Sequence, residues 1–331
     1  MKKMVLALVA VLLSGCQWGN LGFYVYPQAA STGITEVTGP LAGMEVVGYL
    51  LSSKISRVDP SQARHLTDLV YFSVAVRSDG TLGSESVTPS RLDFLKKVKR
   101  EYGTRILMGV SDHSRQGPLS IVVRSPALRA KFAGALADFL TVNGFDGADF
   151  DWEYPKAEDL DAFAGFLGDV RAAFAPQGLR LSVAVTPERP LTAAAYAAVD
   201  RVHGMLYDDD GRHSTLENSA AHVQQLISQG VPASKLLLGL PFYGRGYTEA
   251  RPWSSAVSYR TLRERYQLSP GQDTVSGYYF NGMETVRQKV RYAKAVGLSG
   301  VMVWEIGQDT DDDSSLLGAI TAAREELAGL N

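Results

Sequence analysis

The chain has 331 residues, 45% of them hydrophobic and 21% charged, an ordinary globular composition that can bury one large core in one or two domains. Its formal net charge of -2 gives no electrostatic basis for binding nucleic acid, and the basic cluster Lys96, Lys97, Lys99 and Arg100 reads as the solvated face of a helix. A single cysteine excludes intrachain disulfides and cysteine metal clusters, and the expected partner is uncharged.

Met1-Lys2-Lys3 is a basic start, and Met4 to Leu13 is an apolar run too short for a bilayer-spanning anchor, so residues 1–15 read as a signal peptide. The run ends in Leu13-Ser14-Gly15-Cys16, which resembles a bacterial lipobox. The resemblance implies lipidation of Cys16, a membrane partner through that lipid and a place in the bacterial cell envelope. Gln17 resembles the pattern sorted to the outer membrane of a Gram-negative host. Residues 16–44, rich in Gly, Ser, Thr and Pro, read as a tether between lipid and folded body, although Trp18, Phe23, Tyr24 and Tyr26 give it an aromatic character.

Over residues 45–331, short apolar runs alternate with longer amphipathic ones. The runs predict strands at Glu45 to Leu51, Leu69 to Val76, Arg105 to Ser111, Phe145 to Glu153, Leu179 to Thr186, Arg201 to Tyr207, Leu236 to Tyr243 and Gly300 to Glu305. Helices are predicted over Ser90 to Tyr102, Pro126 to Asn143, Glu158 to Phe174, Glu217 to Gln229, Glu284 to Val296 and Ser314 to Leu327. Strand and helix in alternation mean parallel strands, and eight such units match an α/β fold of the (β/α) TIM-barrel type, whose active site lies where the strands end. No Gly-x-Gly-x-x-Gly turn follows the first strand, which leaves an open nucleotide-binding sheet with little support.

The fourth strand carries Phe145-Asp146-Gly147-Ala148-Asp149-Phe150-Asp151-Trp152-Glu153-Tyr154-Pro155. Asp149, Asp151 and Glu153 alternate along it and so share one face, roughly 6.6 Å apart along the chain. At that spacing one charge holds a proton on the next and creates an acid at neutral pH. Spacing alone leaves open a retaining mechanism with Asp151 as nucleophile.

The segment Asp146 to Glu153 resembles the Asp-Gly-x-Asp-x-Asp-x-Glu signature of glycoside hydrolase family 18, the chitinases and related endo-N-acetylglucosaminidases. Three further stations follow in order: Met205-Leu206-Tyr207-Asp208, Gly239-Leu240-Pro241-Phe242-Tyr243-Gly244-Arg245 and Gly300-Val301-Met302-Val303-Trp304-Glu305. The resemblance implies that Glu153 is the general acid and later the base, that Asp151 raises its proton affinity and then holds the substrate's acetamido nitrogen, and that Asp149 stands behind and shares the charge. It further implies attack by the substrate's own acetamido oxygen, giving an oxazolinium ion and retained configuration. Tyr207 would donate to that oxygen, Asp208 would add a polar contact, and Trp304 would floor the subsite. The implied substrate is a β-1,4-linked N-acetylglucosamine oligo- or polysaccharide such as chitin. N-glycans or peptidoglycan are the enzymatic alternative, and a non-catalytic lectin is the third reading. No metal or cofactor is needed.

Tyr49, Phe72 and Tyr243 lie in or near strand ends and are expected to line the cleft, with core packing an equal reading for Phe72. Arg245 and Trp253 are weaker substrate contacts. His113 follows Asp112 but has no Glu or Cys partner at metal spacing and reads as non-catalytic, and Asp309, Asp311, Asp312 and Asp313 read as a solvated loop. Two departures from the family pattern stand out. Strand three reads Gly109-Val110-Ser111-Asp112 where the family carries Ser-x-Gly-Gly, so Asp149 loses its usual serine and Ser111 is the expected substitute. About 35 residues separate Tyr243 from Tyr279, several of them reading as ordinary loop and helix, so the barrel is expected without a full α+β insertion domain. A shallower groove follows, suited to endo-type attack or to short or branched substrates.

Overall fold

The computed structural model describes residues 43–114 and 117–329. The expected signal peptide, Cys16 and all but the last two residues of the expected tether lie outside them. Eight strands run in chain order: β1 (Glu45–Leu51), β2 (Asp68–Val76), β3 (Arg105–Asp112), β4 (Gly147–Trp152), β5 (Arg180–Val185), β6 (Arg201–Gly204), β7 (Leu236–Pro241) and β8 (Gly300–Trp304). Each pairs in parallel with the next, and β1 closes the ring by pairing with both β8 and β2. This is the expected TIM barrel.

The helices among the described residues are α1 (Pro89–Tyr102), α2 (Pro118–Arg124), α3 (Pro126–Asn143), α4 (Leu160–Phe174), α5 (Ala193–Ala198), α6 (Leu216–Ser228), α7 (Tyr259–Arg265), α8 (Met283–Ala295) and α9 (Leu316–Ala328). None is long and apolar enough to cross a membrane. Their ends follow local chemistry. For α3, the Ser125 hydroxyl accepts from Leu128 N, Pro126 opens the first turn, and Gly144 ends it at φ 79°, a left-handed conformation costly for other residues.

The period of two sorts β4 into two faces. Ala148, Phe150 and Trp152 turn outward, where Phe150 packs edge-on to Phe166 and Trp152 edge-on to Phe163. These aromatics therefore belong to the sheet–helix layer rather than to the surroundings of the acids. Asp149 and Asp151 point to the barrel axis, in the company of an interior cluster that includes Tyr49, Phe72, Leu107, Leu237 and Met302.

Two expectations change. The stretch from Tyr243 to Tyr279 is more ordered than a loop with a helix. Strands 243–246, 256–258, 274–275 and 278–279 form a small antiparallel sheet beside α7. The acidic run after β8 divides as well. Asp311, Asp312 and Asp313 are exposed, but Asp309 is fully buried and accepts from the backbone N–H groups of Thr310, Leu316 and Leu317 and from the Ser315 hydroxyl. It serves the unpaired donors at the start of α9.

Candidate active site

Asp149 is fully buried at the base of the site. It accepts hydrogen bonds from the Tyr49 hydroxyl at 2.6 Å and the Ser182 hydroxyl at 2.6 Å, and His203 Nδ1 lies 3.1 Å away. Burial opposes its ionisation, but the charge and hydrogen bond of His203, with Ser182 and Tyr49, hold its carboxyl below the usual range. Asp149 is therefore ionised at neutral pH.

Ser111 does not replace the missing serine, because its hydroxyl pairs with Ser73 at 2.8 Å. Register explains this: Ser111 lies opposite Asp151, and Gly109 lies opposite Asp149. A Cβ on Gly109 would fall 2.7 Å from the Phe72 ring, so Phe72 fills the space a serine would need. The donors come from β1, β5 and β6 instead.

Asp151 is 2% exposed, and its Oδ1 has no hydrogen-bond partner among the described residues. Burial, then the charges of Glu153 and Asp149, push its carboxyl up to about 8, with His113 opposing. The Asp151–Glu153 pair therefore holds a proton at neutral pH. Glu153 continues past the end of β4 with its side chain partly exposed. His113, just beyond β3, does have a carboxylate neighbour, contrary to expectation: its Nδ1 lies 3.5 Å from Glu153 Oε1. That neighbour raises the imidazole's proton affinity against partial burial.

Above these acids opens a cleft lined by Asp151 and Glu153 together with Tyr49, Tyr207, Asp208, Tyr243 and Trp304. Trp304 lies 5.4 Å from the Tyr49 ring and 5.3 Å from Phe72, which supports it edge-on. Burial, then Tyr243 and Asp151, keep the Tyr207 phenol protonated, and no hydrogen bond to another described residue engages its hydroxyl. Asp208 is held at φ 72°. It accepts from the Tyr243 hydroxyl at 2.7 Å and from Arg245 Nε and NH2 at 2.8 and 2.7 Å. Burial opposes its charge, but His213 at 3.4 Å, Arg245 and Tyr243 hold its carboxyl well below the usual range.

Asp149 lies beneath the cleft, and Arg245 stands behind Asp208, its guanidinium 4.2 Å from the exposed Trp253 ring. Neither lines the cleft. Sequence reasoning missed Ser182 and His203 beneath Asp149, the contact of His113 with Glu153, and the lining residues Met205 and Met302.

Residues 45–309 match the sequence profile of Glycosyl hydrolases family 18. The chain belongs to this family. This family 18 chain is 28% identical over 291 residues to endochitinase 1 of Metarhizium robertsii, covering 69% of this chain and 66% of that protein. It is 29% identical over 275 residues to chitinase C of Streptomyces lividans, covering 65% and 44%. The chain thus spans less than two thirds of the length of either relative. Among solved structures, a family 18 chitinase from the chitin utilization locus of Flavobacterium johnsoniae aligns with a TM-score of 0.76 at 25% identity, covering 86% of this chain and 95% of that one. A chitinase from Bacteroides thetaiotaomicron shares the fold, with a TM-score of 0.79 at 20% identity over 87% and 98%.

Proposed function

We propose that this family 18 chain is a retaining glycoside hydrolase that cleaves β-1,4 bonds beside N-acetylglucosamine in chitin or chitooligosaccharides. One observation carries the reading. The proton-sharing pair Asp151–Glu153 opens into the same cleft as an unengaged tyrosine hydroxyl and an aromatic floor. Sugars present C–H faces to such a floor, and the absence of lysine and arginine from the lining among the described residues suits an uncharged substrate.

In this reading Glu153 delivers the proton to the glycosidic oxygen and afterwards takes one from water. The unpartnered Oδ1 of Asp151 accepts the acetamido N–H, and the Tyr207 hydroxyl donates to the acetamido oxygen. That oxygen attacks the neighbouring sugar carbon, and an oxazolinium ion stands in for a covalent protein intermediate. Asp149 stays charged beneath and keeps the proton on the pair above it. Asp208, with its oxygens committed to Tyr243 and Arg245, offers a fixed negative edge to the sugar.

The test is hydrolysis of chitopentaose by wild type and Glu153→Gln, with an expected loss of about 10²- to 10⁴-fold. Equal rates would remove Glu153 from its role. Release of glycan from a high-mannose glycopeptide or a muropeptide with chitopentaose left intact would change the substrate. Retained turnover of a substrate with a free amine at the cleaved sugar would return Asp151 to the part of nucleophile. A separate proposal is that the chain is held in the bacterial envelope by lipid on Cys16. Cys16→Ala should move the protein from the membrane fraction to the soluble one, and continued membrane retention would sink the anchor.

A further inference from the structure

We propose that His113, Asp151 and Glu153 form a binding site for a divalent transition metal of the zinc class, and that its occupancy switches off the acid of the cleft. One ligand atom from each of the three lies within 4.8 Å of the others. Ligands about 2.0–2.1 Å from a tetrahedral zinc stand about 3.3–3.4 Å apart, and His113 Nδ1 to Glu153 Oε1 is already 3.5 Å. The other separations, at most 4.8 Å, must close by up to about 1.4 Å to reach that spacing. That closure can come from His113 and Glu153, whose side chains are 55% and 32% exposed.

A second observation points to a cation independently of that spacing. Asp151 is 2% exposed and its Oδ1 has no hydrogen-bond partner among the described residues, a costly state for a buried acceptor. Two carboxylates this close repel when both are charged. A divalent ion on them, with a neutral imidazole as third ligand, makes a set with no net charge.

The donor set selects the ion. One imidazole nitrogen and two carboxylate oxygens, completed by a water, suit Zn²⁺, Co²⁺ or Cu²⁺. They are too few for Ca²⁺, which takes six to eight oxygens. The backbone that carries His113 is fixed while its side chain stays free to swing. The preceding Asp112 carboxylate accepts from Ser114 N at 2.9 Å, Ser114 Oγ at 2.5 Å and Leu119 N at 3.0 Å, which fixes the turn that presents the imidazole beside the Phe72 ring.

Metal on Glu153 takes the lone pair that must carry the catalytic proton, so the occupied chain cannot protonate a leaving group. This inhibitory consequence rests on the hydrolase reading, whereas binding does not. Full-length protein stripped by chelator is titrated with Co²⁺, followed by its visible absorption, and with Zn²⁺ by calorimetry. Wild type should show one equivalent that His113→Gln, His113→Ala and Glu153→Gln each weaken at least tenfold, with melting curves verifying that every variant is folded. In parallel, Zn²⁺ should inhibit chitopentaose hydrolysis. His113→Gln should raise the half-inhibitory concentration at least tenfold, relative to its own metal-free rate. No stoichiometric binding by wild type, or equal binding or equal inhibition in the His113 variants, overturns the site. Binding lost in the His113 variants while wild type cleaves neither chitopentaose nor a high-mannose glycopeptide nor a muropeptide supports the site and sinks the hydrolase reading.

Discussion

Tyr49 serves two buried groups with one hydroxyl, donating to Asp149 at 2.6 Å and lying 2.7 Å from His203 Nδ1. Tyr49→Phe keeps the ring against Trp304 but removes that donor, and a buried charge left one hydrogen bond short costs about 1.5–3 kcal/mol. A matching drop in the urea midpoint is expected, together with a fall in kcat larger than any change in KM, because Asp149 acts on the proton rather than on sugar binding. The proton itself sets the pH response. Asp151 is raised from an ordinary value of 3.8 to about 8, so the pair keeps a proton that free carboxyls would shed and loses it as pH rises through about 8. kcat/KM on chitopentaose should therefore fall on the alkaline side near pH 8, and Asp151→Asn should move that limb to lower pH. An alkaline limb unmoved by the substitution would mean that the proton belongs elsewhere.

Where β2 and β3 meet, the family pattern and this barrel part company. Phe72 lies in the space beside Gly109, and its ring in turn supports Trp304. Restoring the family residue by Gly109→Ser should therefore push Phe72 against the floor of the cleft. Overpacking of this kind costs about 1–3 kcal/mol. A thermal melt and KM together check it, and a variant as stable as wild type with unchanged KM would show that the ring can move away freely. The same junction shows what was legible in the sequence. The long periodic segments fell within a few residues of their places, and Asp149, Asp151 and Glu153 could be read together because one strand carries them. The strands of the small sheet after β7 are two to four residues long, too short for a period to show. Ser182, His203 and His113 reach the site from β5, β6 and the end of β3, so only the closed barrel brings them to β4. Asp309 looked solvated because its neighbours are charged, while the helix behind it supplied the buried donors.

The two ends of the barrel divide stability from chemistry. At the end opposite the cleft, Glu45, Asp68, Arg105, Arg180 and Arg201 are the first residues of their strands and form one ionic network. Arg105 meets Asp68 at 2.7 and 2.6 Å, Arg180 reaches both Glu45 and Asp68, and Arg201 pairs with Glu45. Burial works against the charge of Glu45, but the hydrogen bond and charge of Arg201, followed by Arg180 and Ser299, hold its carboxyl below the ordinary 4.5. A carboxyl lowered in the folded state stabilises it above that ordinary value, and the stabilisation is lost as pH falls through the folded one. Glu45→Gln leaves two partly buried guanidinium groups short of a counter-charge and should cost about 1–3 kcal/mol at pH 7. Urea unfolding should show the gap between variant and wild type shrinking as pH drops below 4. Because no atom of this network touches the cleft, kcat/KM per folded molecule at pH 7 should stay at the wild-type value. A variant that lost turnover while keeping its urea midpoint would place the strand starts in the chemistry, and the division between the two ends would fail.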